Sequence, residues 1–431
     1  MACENGDSVR KKIISNLLSS GIEKFFIIGV QFISSIILIR LLPREDYGII
    51  GIVMGYFAFI NIVNISLESI ILRDHKKFDD NLHEVMQSFF MFNLLKSILF
   101  ILIAFALSIL LSNICENSGF IYAIWSITFI TISDAITAPF VIYFSSKFNQ
   151  KLVTKISILR YTLGLIILLG LYYYPELWFV AVKDFIISIL FIGFWILTSF
   201  KHFNFIPKVK SQDIVFIKEA FFSYSLWTHL NGVVTNFIYR SDTFFLSFFV
   251  SLILVGNYTV ALNSANIANV LPMIVGYQNS IALSNAKDEN QIYTISNHFI
   301  LLSLVIGVAT IIGFYLVGDF YLYLVTGKEE NDEIFFYMMC IVTGLVIVKS
   351  FASPLVSYIT IFQSVKKMVI FISLPIFITT VIMYYLGAKL YGVEGIALSN
   401  IFVSIVWLSV IILFLENNTR NLFMKLVWNK S

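Results

Sequence analysis

The segment NFIYRSDTFFLSFF, residues 236–249, sets Arg240 and Asp242 inside a run of aromatics with apolar sequence on either side. Other charges sit in the same kind of setting: Lys24, Arg40, Lys96, Arg160, Lys183 and Lys349, with the acids Glu23, Glu68, Asp134 and Asp184. A charge in mid-hydrocarbon costs about 2.5–3.5 kcal/mol even on a lenient insertion scale. Such residues either pair and serve architecture, or they line a wet pathway.

Their spacing separates the two cases. Arg40, Glu68, Lys183 and Asp184 lie within two turns of an expected helix end, where a long side chain reaches the interface. Lys24 and Lys96 lie roughly 14–17 Å from the inner ends of their helices at 1.5 Å per residue, Asp134 about 15 Å and Arg160 about 10 Å. Helical phase groups polar residues into stripes. Ser20, Lys24, Gln31 and Ser35 share a face, as do Thr131, Asp134 and Ser145. Thr228, Asn231, Thr235, Tyr239 and Asp242 form another, and Thr259, Asn263 and Asn266 lie just before Pro272. Lys349, Ser353, Ser357 and Thr360 form the last. Interhelical hydrogen bonding accounts for the Ser, Thr and Asn residues. It accounts less well for five deep cations with too few deep acids to pair them. The expected lining of a translocation lumen is therefore Lys24, Gln31, Lys96, Arg160, Arg240, Lys349, Asn263 and Asn266.

Arg240 and Asp242 project about 200° apart on a helix, so a direct i, i+2 pair is disfavoured. One can face a lumen while a neighbouring helix holds the other. Asp134 and Arg160 lie at similar depth on consecutive helices, which permits a salt bridge.

The elements that carry these residues are membrane spans. The chain of 431 residues is 58% hydrophobic and 13% charged, with a mean hydropathy of +0.87. Soluble domains carry about a quarter charged residues. A span needs roughly twenty mainly apolar residues, and twelve windows meet that need: 15–42, 47–72, 85–112, 119–144, 153–174, 177–200, 219–250, 256–283, 296–317, 334–362, 366–390 and 393–415. Strands are excluded, because the windows run far past ten residues without a period of two.

With the N-terminus inside, nineteen loop cations fall on the inner side and three, Arg44, Lys328 and Lys389, on the outer. That bias matches the preference of Lys and Arg for cytoplasmic loops, and puts both termini in the cytoplasm. The basic segment KHFNFIPKVKSQDIVFIKEA divides the chain into lobes 1–200 and 219–431, joined by a linker over 201–218. The linker reads either as a helix along the anionic inner leaflet or as an ordinary solvated connection. Paired echoes, LLPREDYGIIGIV with SLILVGNYTVAL and LGLYYYPELW with LGAKLYGVEG, suit a duplicated six-plus-six bundle.

Several functions are excluded. Cys3, Cys115 and Cys340 are too few and too scattered for a disulfide or metal framework, and the five histidines show no metal spacing. LVTGKEE lacks the first glycine of a phosphate loop. No outer loop is large enough for a catalytic domain, so an enzyme is not expected. The polar start leads into an apolar stretch too long for a signal-peptide core, so the first span is expected to be retained.

The segments IILIRLLPREDYGIIGI, FFLSFFVSLILVGNYTVALNSA and YGVEGIALSN resemble the polysaccharide-flippase (Wzx-type, O-antigen) branch of the multidrug/oligosaccharidyl-lipid/polysaccharide exporter superfamily. The matching residues are Arg40, Pro43, Glu45, Asp46, Tyr47 and Gly48; then Gly256, Tyr258 and Ala261; then Gly392, Gly395 and Ala397. The resemblance implies an all-α membrane protein of two six-helix lobes in a V, located in the bacterial inner membrane. It implies alternating access that moves an undecaprenyl-diphosphate-linked oligosaccharide, an O-antigen or capsule repeat unit, from the inner to the outer leaflet. It also implies membrane lipids, a glycan polymerase and a chain-length regulator as partners, and no nucleic acid. On this reading the deep cations neutralise the diphosphate and any acidic sugar. Asp134 and Asp242 would couple the cycle to a proton or sodium gradient, with no other cofactor. The rival readings are a peptidoglycan-precursor flippase, a drug antiporter and, as an enzyme, a membrane glycan polymerase.

Overall fold

Long apolar runs can satisfy their own backbone in lipid as helices, and the computed structural model of the chain bears this out. The structure describes residues 6–64, 82–147, 149–202, 218, 222, 226–284, 286, 288–362 and 364–428. Glu68, the loop cations Arg73, Lys76, Lys77, Lys208, Lys210 and Lys287, and most of the linker 201–218 lie outside the described residues. No strand occurs among the described residues.

In chain order the helices are α1 Gly6–Leu41, α2 Arg44–Ile60, α3 Leu82–Ile114, α4 Gly119–Ser146, α5 Gln150–Leu168 and α6 Leu177–His202. They continue as α7 Leu226–Leu246, α8 Leu252–Ala265, α9 Val270–Ser284, α10 Glu289–Thr326, α11 Asp332–Val346, α12 Ser353–Phe362, α13 Val365–Met368 and α14 Leu374–Trp428. A 3₁₀ turn, Asn266–Asn269, joins α8 to α9, and π-helical turns Ile347–Ala352 and Val369–Ser373 join α11 to α12 and α13 to α14. Pro272, Pro354 and Pro375 each follow one of these turns. Proline lacks the N–H of an α-helix and crowds the carbonyl four residues back, so each break falls where the α pattern cannot continue.

Among the described residues, nine helical stretches are long and apolar enough to cross a membrane. The last, Val365–Leu415, has 51 residues, yet it is not one straight rod. The Ser399 hydroxyl donates to the Met383 carbonyl at 3.1 Å, whereas sixteen residues of straight helix would separate them by roughly 24 Å. The chain reverses at Gly392, whose φ of 58° lies in the left-handed region. A Cβ on Gly387 would stand 2.7 Å from the Gly395 carbonyl oxygen, so glycine is what lets the two arms meet.

The chain forms two compact units, residues 1–46 with 60–229, and residues 47–59 with 230–431. The unit boundary therefore divides α2: its first three residues belong to the first unit and Tyr47–Phe59 to the second. The first unit packs α3 on α4, α4 on α6 and α1 on α5. Its core is aromatic: Met86 and Phe90 of α3, Phe140 and Phe144 of α4, and Phe191 and Trp195 of α6, with Val153 and Ile156 of α5. The Asn93 amide also donates to the Ala135 carbonyl at 2.8 Å, tying α3 to α4.

In the second unit α11 packs against α8, α10 and α14, and α9 against α10 and α12. The α2 segment joins it through small residues. A Cβ on Gly48 would overlap the Leu252 carbonyl, one on Gly51 the Thr259 side chain, and one on Gly55 the Phe244 backbone. Close approach of this kind is how helices associate where no hydrophobic drive separates them from lipid. The outer faces are inverted relative to a soluble protein. Leu301, Val305, Leu316 and Phe320 of α10 are each at least 60% exposed, which suits contact with hydrocarbon.

Candidate functional site

All ten residues expected to act in transport are described, and the structure sorts them by what they touch. In the first unit Lys24 and Gln31 of α1 are exposed. Lys96 of α3 is half-buried and lines a crevice of about 180 Å³ with Asn64, Ser97 and Thr131. The permitted salt bridge is formed: Arg160 Nη1 lies 2.5 Å from Asp134 Oδ1. The Arg160 side chain is 12% exposed and that of Asp134 56%, so the pair has an exposed acid and a buried base. The guanidinium also sits 4.2 Å from the centroid of the Phe191 ring, a cation–π contact that offsets part of its desolvation.

In the second unit Arg240 and Asp242 go separate ways, as the 200° separation requires. Arg240 Nη1 reaches the Met54 sulfur of α2 at 3.7 Å. Asp242 is 1% exposed and is held by neutral donors: the Thr243 N–H on Oδ1 at 2.8 Å and the Tyr258 hydroxyl on Oδ2 at 2.7 Å. The chain of donors continues outward. The Asn400 amide donates to the Tyr258 oxygen at 2.8 Å, and the Tyr384 hydroxyl donates to Asn400 Oδ1 at 2.7 Å. Each of these bonds runs toward Asp242, so the dipoles reinforce one another around the carboxylate. The relay ties α7 and α8 to both arms of α14.

Lys349 lies on the π turn after α11. Its ammonium stands 4.4 Å from the centroid of the Tyr239 ring, and among the described residues no carboxylate is in ion-pair contact with it. Tyr239 in turn lies 5.7 Å from the Trp407 ring. The two rings line a crevice of about 290 Å³ with Asn400 and Ser404. Asn263 and Asn266 serve local bonds. The Asn263 amide donates to the Tyr47 hydroxyl at 2.6 Å, and Asn266 Oδ1 accepts from the Asn269 amide at 3.3 Å within the 3₁₀ turn. Asn231, from the α7 stripe, accepts from the Ser373 hydroxyl at 2.7 Å. Part of the polar pattern is therefore interhelical glue.

One acid differs from expectation and one agrees with it. Asp184 is packed inside the protein rather than exposed near its helix end: it is 5% exposed, accepts from the Ser126 hydroxyl, and pairs with Lys183 Nζ at 2.7 Å. Ser126 of α4 sets the contact, and nothing in the spacing along α6 marks it. Glu23 is 8% exposed and accepts from the Gln150 amide at 3.0 Å and the Thr154 hydroxyl at 3.2 Å. Tyr258, Tyr384 and Asn400 were not expected in any polar site. The first and last lie within the turn motifs already noted, where they read as turn formers.

The motif residues turn out to mark where helices touch: Tyr47 bonds Asn263, Gly48 abuts Gly256, Tyr258 bonds Asp242, and Gly392 and Gly395 make the reversal of α14. The family model for polysaccharide biosynthesis proteins matches residues 37–334, which include the first two of these motifs. The chain belongs to the polysaccharide biosynthesis protein family.

Solved structures give this family member its fold. It is similar to the lipid II flippase MurJ in an inward closed conformation, at 15% identity and a TM-score of 0.70, over 95% of this chain and 90% of that one. An inward-facing multidrug-resistance MATE transporter of the MOP superfamily matches at 14% identity and a TM-score of 0.69, over 93% and 96%. A mutant form of the Vibrio cholerae MATE transporter VcmN matches at 15% identity and a TM-score of 0.54, over 97% and 99%. No curated protein matches the sequence. The fold class is therefore that of an all-α, multi-pass membrane protein of the kind these transporters share.

Proposed function

We propose that this protein is a secondary transporter that flips an undecaprenyl-diphosphate-linked oligosaccharide, an O-antigen or capsule repeat unit, from the inner to the outer leaflet of the bacterial inner membrane. The observation that carries this reading is Lys349, a cation inside an apolar helix whose described partner is a ring face rather than an acid. Such a group is available to an anionic substrate in a way that the paired Arg160 is not. Family membership over residues 37–334 supports a role in making polysaccharide, and the MurJ-like fold supports movement of a lipid-linked substrate.

On this reading the lobes 1–200 and 219–431 alternate access across the membrane, both termini are cytoplasmic, and the cycle draws on a proton or sodium gradient through Asp134 and Asp242. Lys24, Gln31, Lys96, Arg160, Arg240, Lys349, Asn263 and Asn266 line the path, with Lys349 and Arg240 meeting the diphosphate or an acidic sugar. A glycan polymerase and a chain-length regulator would act on the delivered unit. The likeness to MurJ favours one second reading, a peptidoglycan-precursor flippase.

Deletion of the gene in its host separates the two. Loss of surface glycan in cells that still grow, with the lipid-linked repeat accumulating on the inner leaflet, supports the proposed reading. Arrested growth with accumulated peptidoglycan precursor supports the second. Intact surface glycan with new drug sensitivity would overturn both and point to an antiporter.

A further inference from the structure

Arg240 is held far more weakly than its chemistry allows. A guanidinium carries five donors, yet among the described residues the side chain makes one hydrogen bond, to the Met54 sulfur of α2 at 3.7 Å. No carboxylate among the described residues is in ion-pair contact with it. Asp242 and Tyr47 lie within electrostatic reach, but the Asp242 oxygens accept from Thr243 and Tyr258, and the Tyr47 hydroxyl accepts from Asn263. A thioether is a weak acceptor. On the reading that Arg240 meets the substrate diphosphate, we infer that Met54 is a positioning residue: it keeps the guanidinium in place without satisfying it, so that an arriving diphosphate displaces a sulfur rather than an acid.

The packing of α2 on α7 sets the sulfur opposite the guanidinium. The Thr243 hydroxyl donates to the Gly51 carbonyl at 2.8 Å and lies 3.2 Å from the Arg240 carbonyl. A Cβ on Gly55 would stand 2.7 Å from the Phe244 nitrogen, and Phe59 meets Phe237 edge-on with ring centroids 4.6 Å apart. The contacts advance along α2 as they retreat along α7, so the two helices run antiparallel and Met54 falls level with Arg240. Close approach at the two glycines fixes that register on both sides of the contact. Met54 and Arg240 are each half-buried. An unbranched side chain with a polarizable sulfur suits such a gap.

The residue at position 54 therefore decides how strongly the site competes with its own ligand. Phosphate oxygens accept two parallel bonds from a guanidinium, and bonds between charged partners are about twice as strong as neutral ones. The sulfur offers one weak bond in exchange. A carboxylate at position 54 would instead hold Arg240 as Asp134 holds Arg160, and the anion would have to break an ion pair before binding. An amide would stand between the two. The exchange moves hydrogen bonds only, with no covalent step and no proton transferred.

Binding of undecaprenyl diphosphate to the purified full-length protein in detergent tests the assignment, read by microscale thermophoresis beside a thermal unfolding curve for each variant. Met54→Leu, which removes the acceptor at similar volume, should bind as tightly as wild type or more tightly. Met54→Gln should bind several-fold more weakly, and Met54→Glu weaker by about tenfold or more, the scale of one charged hydrogen bond. Met54→Gln carries the comparison where Met54→Glu does not fold. In an Arg240→Ala background the three substitutions should bind alike, which a role in packing alone would not produce. Equal affinities for Met54→Gln, Met54→Glu and wild type would overturn the assignment, as would a gradient that persists without Arg240. Binding that depends on Arg240 but not on position 54 removes Met54 alone and leaves the flippase reading standing. No binding by wild type, or undiminished binding by Arg240→Ala, removes the diphosphate role of Arg240 and the Met54 assignment with it.

Discussion

The ammonium of Lys349 rests 4.4 Å from the centre of the Tyr239 ring, and the backbone that carries it is a π-helical turn rather than regular α-helix. Five-residue closure in the turn shifts the helical phase at this position, and such turns recur at functional sites. The ring face lowers the cost of a buried cation without neutralising it, which leaves the charge free for an anion.

The first prediction follows from that contact. Tyr239→Phe keeps the ring and should match wild type, while Tyr239→Leu should lower stability by about 1–2 kcal/mol, the scale of a desolvated cation–π contact. Thermal unfolding in detergent measures both. Equal losses from the two substitutions would mean that the hydroxyl, not the ring, is what matters.

A second prediction concerns Asp242. Tyr258→Phe removes the donor on Oδ2 and should cost about 1–3 kcal/mol, the penalty of a buried polar group left short of a partner. The Tyr258→Phe, Asp242→Asn double variant should recover part of that loss, because the charge that needed the donor is gone. Simple additivity of the two single losses would contradict the relay.

The Asp134–Arg160 pair should be modest. A double-mutant cycle with Asp134→Asn and Arg160→Met is expected to give a coupling near ~1 kcal/mol or below, the range of solvent-screened pairs, because the Asp134 side chain is 56% exposed. A coupling of several kcal/mol would place the acid in a drier site than the structure gives it.

Two glycines should respond in opposite ways. Gly392→Ala forces a Cβ into the left-handed region and should cost about 1–2 kcal/mol, while Gly193→Ala, in the interior of α6 with open space where its Cβ would go, should be neutral or stabilising by up to about 1 kcal/mol. Melting temperatures of the two variants provide the comparison.

Much of the fold was legible in the residues, since an apolar window of twenty or more residues leaves the backbone few choices in lipid. The divergence of Arg240 and Asp242 followed from helical phase alone. The destinations of side chains were less accessible. Asp184 looked interfacial from its distance to a helix end, but Ser126 on another helix draws it inward. Asn263 shares a stripe with Thr259 and Asn266, yet its partner is Tyr47, more than two hundred residues away. Lys349 was assigned to a stripe on regular α-helix, and the π turn changes that phase. Tyr258 and Asn400 stood within recognised motifs but read as turn residues, because a single sequence does not show which hydroxyl or amide a buried acid will find. The roles in transport of the ten expected residues rest on the function proposed above.

The most direct test of the central claim is flipping itself. Lipid-linked oligosaccharide extracted from the deletion strain, carrying a fluorophore on its glycan, is placed in liposomes with the purified protein, and a membrane-impermeant quencher reports the leaflet. The account predicts that wild-type protein exposes the inner-leaflet pool to quencher, and that the Arg240→Ala, Lys349→Ala double variant, still folded and inserted, slows this by about tenfold or more, the scale of one lost charged hydrogen bond. Equal quenching with the protein and with empty liposomes, or full activity in the double variant, would contradict it.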